Sequence, residues 1–296
     1  MTSHSISAPT PDGPLADGPL ADGQAPSGAT NAGGTPFASS NLVWRPAAER
    51  FHSQLDWLDS WHSFSFAGHA DPAWMGFGPL RVINDDTIAA GRGFGMHPHR
   101  DMEIITVMVE GQLNHRDSMG HAEVLQAGEV QRMSAGTGIV HSEVNEGQTP
   151  CRLLQIWIEP GTLGIAPAYE QKPFAIGEHW TPLIDPQGSG GAMAIARPVR
   201  LWRAQPRAGQ HLPLQLATGA HGWLQVIAGS AELLFPAAEP RQPPGGTQPP
   251  ERVQAPGLGR GDGLGFGGPG QPVAAEPGIE LQAGAQGADL LLFELA

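Results

Sequence analysis

Between residues 91 and 160 the apolar positions fall into short runs: IITVMV (104–109), VQRM (130–133) and LLQIWI (153–158). The breaks around them, EGQ, AGE, SAGTG and EPG, are rich in turn-forming residues. Runs this short, with turns about ten residues apart, predict antiparallel all-β structure, a barrel or a sandwich. No amphipathic helix of full length is visible there.

The pattern repeats nearer the C-terminus, in GWLQVIAG (222–229), AELLF (231–235) and DLLLFEL (289–295). Pro167, Pro173 and Pro182 punctuate the crossover between the two regions. A length of 296 residues also suits two domains of ordinary size. We therefore expect a first barrel over residues 41–170 and a second over 171–296. The stretch 236–257 carries more prolines than a strand tolerates, so it reads as a disordered insertion looping out of the second barrel. Residues 1–40, with the repeat DGPLADGPLADG, are too small, acidic and Pro-rich to bury a core and read as a disordered tail.

Charge and cysteine content narrow the function classes. Lys and Arg number 16 against 29 Asp and Glu, a net charge of -13 that disfavours attraction to phosphate backbones. Direct nucleic-acid binding is therefore not expected. Cys151 is the single cysteine, so an internal disulfide framework and a thiolate-rich zinc site are both excluded. The N-terminal residues lack a basic start and an apolar run, and no stretch approaches the roughly 18 apolar residues that span a membrane. A cytoplasmic protein without membrane attachment is expected.

Two clusters carry candidate chemistry: HPHRDME (97–103) and HSE (141–143). Side chains in a strand alternate faces, so His97 and His99 share one, Glu103 joins them if the strand stays regular, and His141 and Glu143 share another. Either cluster alone is weak evidence for a metal. If the two segments meet across a barrel interior, imidazoles and carboxylates converge on one point, where so many ionisable groups are costly unless paired or metal-bound. Such a donor set suits one divalent ion with open coordination positions. Fe(II) is the preferred ion, with Ni, Mn, Zn and Cu as alternatives. His62, and His115 with Asp117, are candidates for orienting substrate or ligands but read first as structural or turn residues. His121 reads as turn surface, and Cys151 as a small buried hydrophobe. Phe66, Met75 and Phe94 read first as core, with lining of an entrance as the other role.

The segments WLDSWHSFSFAGHADP, GFGPLRVINDD, GFGMHPHRDMEIITVMVEGQLNHRDSMG and QRMSAGTGIVHSE, followed by LLQIWIEP and YEQ, resemble the bacterial branch of the pirin family. They cover most of residues 57–171 in the family's order, whereas the second half resembles the family only through GDGLGF and the closing LLLFEL. The resemblance implies a bicupin, two jelly-roll β-barrels in tandem. It places a single metal, usually iron, in the N-terminal barrel on the positions matching His97, His99, His141 and Glu143. The general cupin pattern H-x-H-x3-E nominates Glu103 instead, and both glutamates are present. Glu103 is otherwise a supporting or proton-handling group. His211 and His221 are isolated, so the second barrel is not expected to bind metal. Quercetin 2,3-dioxygenases of this branch open the heterocycle of a flavonol with O2 and release carbon monoxide, with Glu143 or Glu103 as candidate proton acceptor. The other function the resemblance implies is an iron-dependent, redox-sensing regulator that binds protein partners without catalysis.

Overall fold

The apolar runs become the middle strands of a sheet buried on both faces, which is why they read as near-continuous hydrophobic stretches. A computed structural model describes residues 42–217, 219–235, 253–254, 257–267 and 279–296. The tail at 1–40 and nearly all of the insertion at 236–257 lie outside the described residues.

Strand β1 is Leu42–Arg45. The first barrel follows with β2 (Phe51–Gln54), β3 (Leu58–His62), β4 (Leu80–Ile88), β5 (Arg92–His99), β6 (Glu103–Glu110) and β7 (Gln112–Asp117). It closes with β8 (Ala122–Gln126), β9 (Glu129–Ser134), β10 (Ile139–Asn145), β11 (Cys151–Ile158) and β12 (Ala168–Pro173). These strands make a seven-stranded sheet, β12-β9-β6-β11-β4-β3-β2, facing a four-stranded sheet, β5-β10-β7-β8. The second barrel contains β13 (Thr181–Asp185), β14 (Met193–Ala194), β15 (Val199–Ala204), β16 (His211–Pro213), β17 (His221–Phe235), β18 (Val253–Gln254), β19 (Leu258–Gly259), β20 (Gly263–Phe266) and β21 (Glu280–Leu295). Strand β1 pairs with β20, so the chain touches the second barrel's sheet before building the first barrel.

The seven-stranded sheet is the wall between two cores. Leu153 of β11 and Met108 of β6 point inward, against Leu113 and Leu125 of the smaller sheet. Leu154, Ile156, Ile105 and Val107, of opposite parity on the same strands, pack against Leu201, Trp223, Ile227 and Phe293 of the second barrel. A buried ion pair crosses the same wall: Arg152 Nε and Nη2 bond both Asp85 oxygens at 2.7 and 2.9 Å, and Nη2 also reaches the Ile227 carbonyl at 2.9 Å. The interior of the second barrel is apolar, built on Leu224, Val226, Leu233, Leu264, Phe266 and Leu290.

The molecule is thus the expected all-β pair of barrels. The helical elements among the described residues are three short 3-10 turns. No helix among the described residues is long and apolar enough to cross a membrane.

Candidate metal centre

The three imidazoles of the sequence motifs meet because two strands of the smaller sheet lie side by side. In the β5–β10 pairing His97 stands opposite His141, and Phe94 opposite Glu143. The register therefore slips between them: two residues of β5, Gly95 and Met96, face the single Ser142, so β5 carries one extra residue. This bulge reverses the parity of β5, turning both Phe94 and His97 inward. Met96 is left 60% exposed, and the Gly95 carbonyl turns back to meet His97 Nδ1 at 2.7 Å. Gly93 lets the strands close this tightly, since a Cβ there would stand 2.3 Å from the Glu143 carbonyl oxygen.

His97, His99 and His141 offer nitrogens that all lie within 4.8 Å of one another. Two nitrogens on opposite sides of an ion, each about 2.1 Å away, would be about 4.2 Å apart, so small side-chain rotations close this set on one ion. Both ring nitrogens of His141 are buried without a hydrogen-bond partner. An orphaned buried polar atom costs about 1–3 kcal/mol, which a coordinated cation would remove. Burial, followed by the neighbouring His97 and His99, drives the His141 pKa far down, and burial with His97 lowers His99 to about 4. Both rings are therefore neutral at pH 7, the form that ligates metal.

Glu143 lies beneath this trio rather than among it. Its carboxylate groups within 4.8 Å of His141 and His115. It accepts hydrogen bonds from Gln155 Nε2 at 2.8 Å and Gln131 Nε2 at 3.3 Å, and at 3.3 Å it shares the single Thr106 hydroxyl proton with Gln155 Oε1, which lies nearer at 2.7 Å. Those donors belong to one cross-strand row running through the larger sheet: His62, Asn84, Gln155, Thr106, Gln131 and Gln171 stand opposite one another from β3 to β12. This polar row is the floor of the site.

Glu103 is elsewhere. The strand carrying His99 ends at that residue, and Asp101 turns the chain with a φ of 48°, so the regular strand that would align Glu103 with the histidines does not exist. Glu103 begins β6 in the other sheet with the parity of Ile105 and Val107, facing the second barrel. Its carboxylate accepts from Ser134 Oγ at 2.6 Å; burial raises its pKa, opposed by Ser134 and Arg132. Among the described residues it belongs to neither donor group.

His115 is the group the sequence reading undervalued. Its Nε2 bonds Asp117 Oδ2 at 3.1 Å, and its Nδ1 is buried and unpartnered next to His141 and Glu143. Asp117 also receives His121 Nδ1 at 2.8 Å and the backbone N–H groups of Met119 and His121. Burial alone would raise the Asp117 pKa, but these bonds hold it below the ordinary aspartate value. Tyr169 stacks on both rings at 4.6 Å, so His121 is part of this clamp and not merely turn surface. The signals that could have found this floor are the spacing H-x-D in HRDSMG and the polar residues interrupting apolar runs, Thr106 in IITVMV and Gln155 in LLQIWI.

The site opens beside His99. A surface cavity of about 360 Å³ is lined by Pro98, His99, Arg100, Ser118, Thr137, Gly138, Ile139 and Val140. Phe66 and Phe94, both half-buried, stand edge-on to Trp157 and Trp57 respectively, and neither they nor Met75 line this mouth.

Comparison with known proteins agrees with this architecture. Residues 45–158 match the family model described as Pirin, and residues 183–239 the one described as Quercetinase C-terminal cupin domain. The chain is 46% identical over 190 residues to the quercetin 2,3-dioxygenase of Escherichia coli (strain K12), covering 64% of this chain and 82% of that protein. The crystal structure of bacterial pirin YhhW from Escherichia coli in complex with nickel(II) superposes with a TM-score of 0.72 at 37% identity, over 86% of this chain and 98% of that one. A quercetin 2,3-dioxygenase from Acinetobacter baumannii, 17% identical, shares the fold with a TM-score of 0.65 over 87% of this chain and 80% of its own.

Proposed function

The chain belongs to the pirin family, and from that premise we propose that it is a metal-dependent dioxygenase of the quercetinase type, opening the heterocycle of a flavonol with O2. The observation that carries this reading is His141, fully buried, neutral, unpartnered at both nitrogens and flanked by His97 and His99. A trio of imidazoles beside a carboxylate fits a divalent cation. His97, His99, His141 and Glu143 would hold it. Fe(II) is our first choice, and the nickel(II) complex of the related pirin makes Ni(II) the leading alternative.

Bound there, the ion supplies Lewis acidity that makes a flavonol's hydroxyl more acidic. The chain's own residues do the rest. Glu143, steadied by Gln155, Gln131 and Thr106, presents a carboxylate oxygen that can accept the hydroxyl proton. His115, fixed by Asp117 and Tyr169, directs Nδ1 at the same space and limits how a planar substrate can lie. Phe94 and Trp157 close the sides next to His97 and His99 against water. Insertion of both oxygen atoms with loss of one ring carbon as carbon monoxide leaves an ester of a benzoic acid.

The test is anaerobic loading with Fe(II) or Ni(II), then quercetin and O2. Metal-dependent loss of flavonol absorbance with release of carbon monoxide is the expected result. A fully loaded protein that leaves quercetin and related flavonols untouched would overturn the reading and favour a regulator that binds protein partners.

A further inference from the structure

A line of hydrogen-bonded side chains connects the outer edge of the first barrel with a carboxyl in its interior. His69 Nε2 lies 3.1 Å from Ser53 Oγ, and Ser53 Oγ lies 2.9 Å from His62 Nε2. His62 Nδ1 lies 3.3 Å from Ser60 Oγ, and Ser60 Oγ donates to Asp86 Oδ1. Strand register explains the line. Ser53, Ser60 and Asp86 stand directly opposite one another on β2, β3 and β4. His62, two residues along β3 from Ser60 and on the same face, links Ser53 and Ser60 through its two ring nitrogens.

The bonds have one polarity. His62 Nδ1 also lies 2.8 Å from Asn84 Oδ1, which can only accept, so Nδ1 carries the proton and Nε2 is free to accept from Ser53. Ser53 Oγ then accepts from His69 Nε2–H. Every donor points inward, ending on Asp86. His69 is half-buried between exposed Gly68 and Ala70, held by paired backbone bonds to Phe66, and its second nitrogen is left for water. Asp86 lies one pleat below Asn84 and the polar floor on which Glu143 rests.

We propose that His69, Ser53, His62, Ser60 and Asp86 form a proton relay between water and the interior of the metal-bearing barrel. The role rests on the dioxygenase reading: the benzoic acid product ionises at neutral pH, so each turnover leaves one proton to return to water. With Asp86 ionised, a proton binds His69 Nδ1 and His69 Nε2–H passes its own to Ser53. Ser53 passes its original proton to His62 Nε2, His62 Nδ1–H passes to Ser60, and Ser60 protonates Asp86. The reverse sequence exports a proton and restores the starting bonds, consuming nothing else. The ionisable groups around Asp86 are Asp85 beside it, Asp59 of β3, Glu143 of β10 and Cys151 of β11; burial, ahead of these, raises its pKa to about 7. A carboxyl poised there both takes and gives protons near neutrality.

The test needs no flavonol, so its failure is distinct from failure of the dioxygenase reading. The full-length, metal-loaded protein is subjected to a rapid pH jump while the infrared carbonyl band of protonated Asp86 is followed, the band being assigned by its loss in Asp86→Asn. Ser53→Ala and His69→Ala, both at the half-exposed edge, should slow re-ionisation by about tenfold or more, below the usual contribution of a positioned proton carrier. Ser53→Thr, which keeps the hydroxyl, should retain the wild-type rate, and added imidazole should accelerate the His69→Ala variant. Re-ionisation as fast in Ser53→Ala as in wild type would overturn the relay, as would an Asp86 carboxyl that never protonates between pH 5 and 9.

Discussion

Gln155 and Glu143 belong to opposite sheets of the first barrel, and Gln155 Nε2 lies 2.8 Å from Glu143 Oε2. The same glutamine accepts from Thr106 Oγ1 at 2.7 Å through its own oxygen, which fixes the direction of the amide. Outer partners that orient a ligand typically change metal affinity about 10–100-fold. Gln155→Leu is therefore expected to weaken metal binding by about that factor, read by competition with a chromogenic chelator. Unchanged affinity would mean that Glu143 is not a ligand.

Changing His97 and His141 together to Ala should abolish metal binding, measured as metal per chain after dialysis. Fold retention is expected, because His141 brings two unpartnered buried nitrogens whose removal offsets the cavity left behind. The melting temperature of the metal-free variant should stay within about 5 °C of the metal-free parent, a shift of roughly 1–2 kcal/mol at this size. Full metal occupancy in the variant would refute the assignment.

The strands and the trio of histidines were legible in the sequence for different reasons. LLQIWI and IITVMV announce strands because both faces of that sheet are buried. Their single polar residues, Gln155 and Thr106, mark the inner face on which the site rests. The convergence of HPH with HSE follows from antiparallel pairing once both segments are strands. Glu103 misleads because alternation was extended through a turn: Asp101, at positive φ, moves the next residues into another sheet with another parity. The bulge at Gly95 and Met96 and the pairing of β1 with β20 depend on contacts distant in sequence, which local pattern does not encode. His115 was visible as a residue, but not as a neighbour of His141 across β7 and β10.

Arg152 and Asp85 make a buried, bidentate contact in the wall between the barrels. Removing Arg152 breaks the bidentate pair and leaves Asp85 with only the longer contact to Arg50 Nη1 at 3.7 Å, a loss of up to about 3–5 kcal/mol. Arg152→Ala should therefore lower unfolding stability by about that amount in urea titrations. A neutral outcome for the single change would show that the pair is wetter than its geometry implies.

Asp86 should give stability an unusual pH dependence. Its carboxyl titrates at about 7 in the fold against an ordinary 3.8, because burial outweighs the bond from Ser60. The folded state binds this proton more tightly than the unfolded chain. Its contribution is thus fully present below about pH 4 and lost as the pH rises through about 7. His62 acts in the opposite sense: burial lowers it from 6.5 to about 4, so its contribution is present above 6.5 and lost as the pH falls toward 4. In Asp86→Asn the decline between pH 4 and 7 should disappear while the acid-side loss due to His62 remains. Urea titrations across pH read both limbs, and an unchanged profile would place the Asp86 proton elsewhere.

Gly93 connects backbone packing to the candidate metal site. A Cβ at this position would stand 2.3 Å from the Glu143 carbonyl oxygen and 2.5 Å from the Val144 Cα, both backbone atoms that no side-chain rotation can move away. Gly93→Ala must therefore push β5 and β10 apart at the pairing of Gly93 with Val144, adjacent to the bulge that aims His97. His141 and His97 lie opposite each other only a few residues along this same pair of strands, so a displacement of even an ångström spreads the donor set. The hydrophobic core below, built on Leu113, Leu125, Met108 and Leu153, meets β5 through Phe94 alone among the residues of that strand. Metal affinity should fall by about tenfold or more while the protein stays folded, a split characteristic of disturbed ligand support. Parallel measurement of chelator competition and far-UV circular dichroism distinguishes this from general unfolding. Full affinity in Gly93→Ala would mean that the close approach of β5 and β10 is not what sets the positions of the histidines.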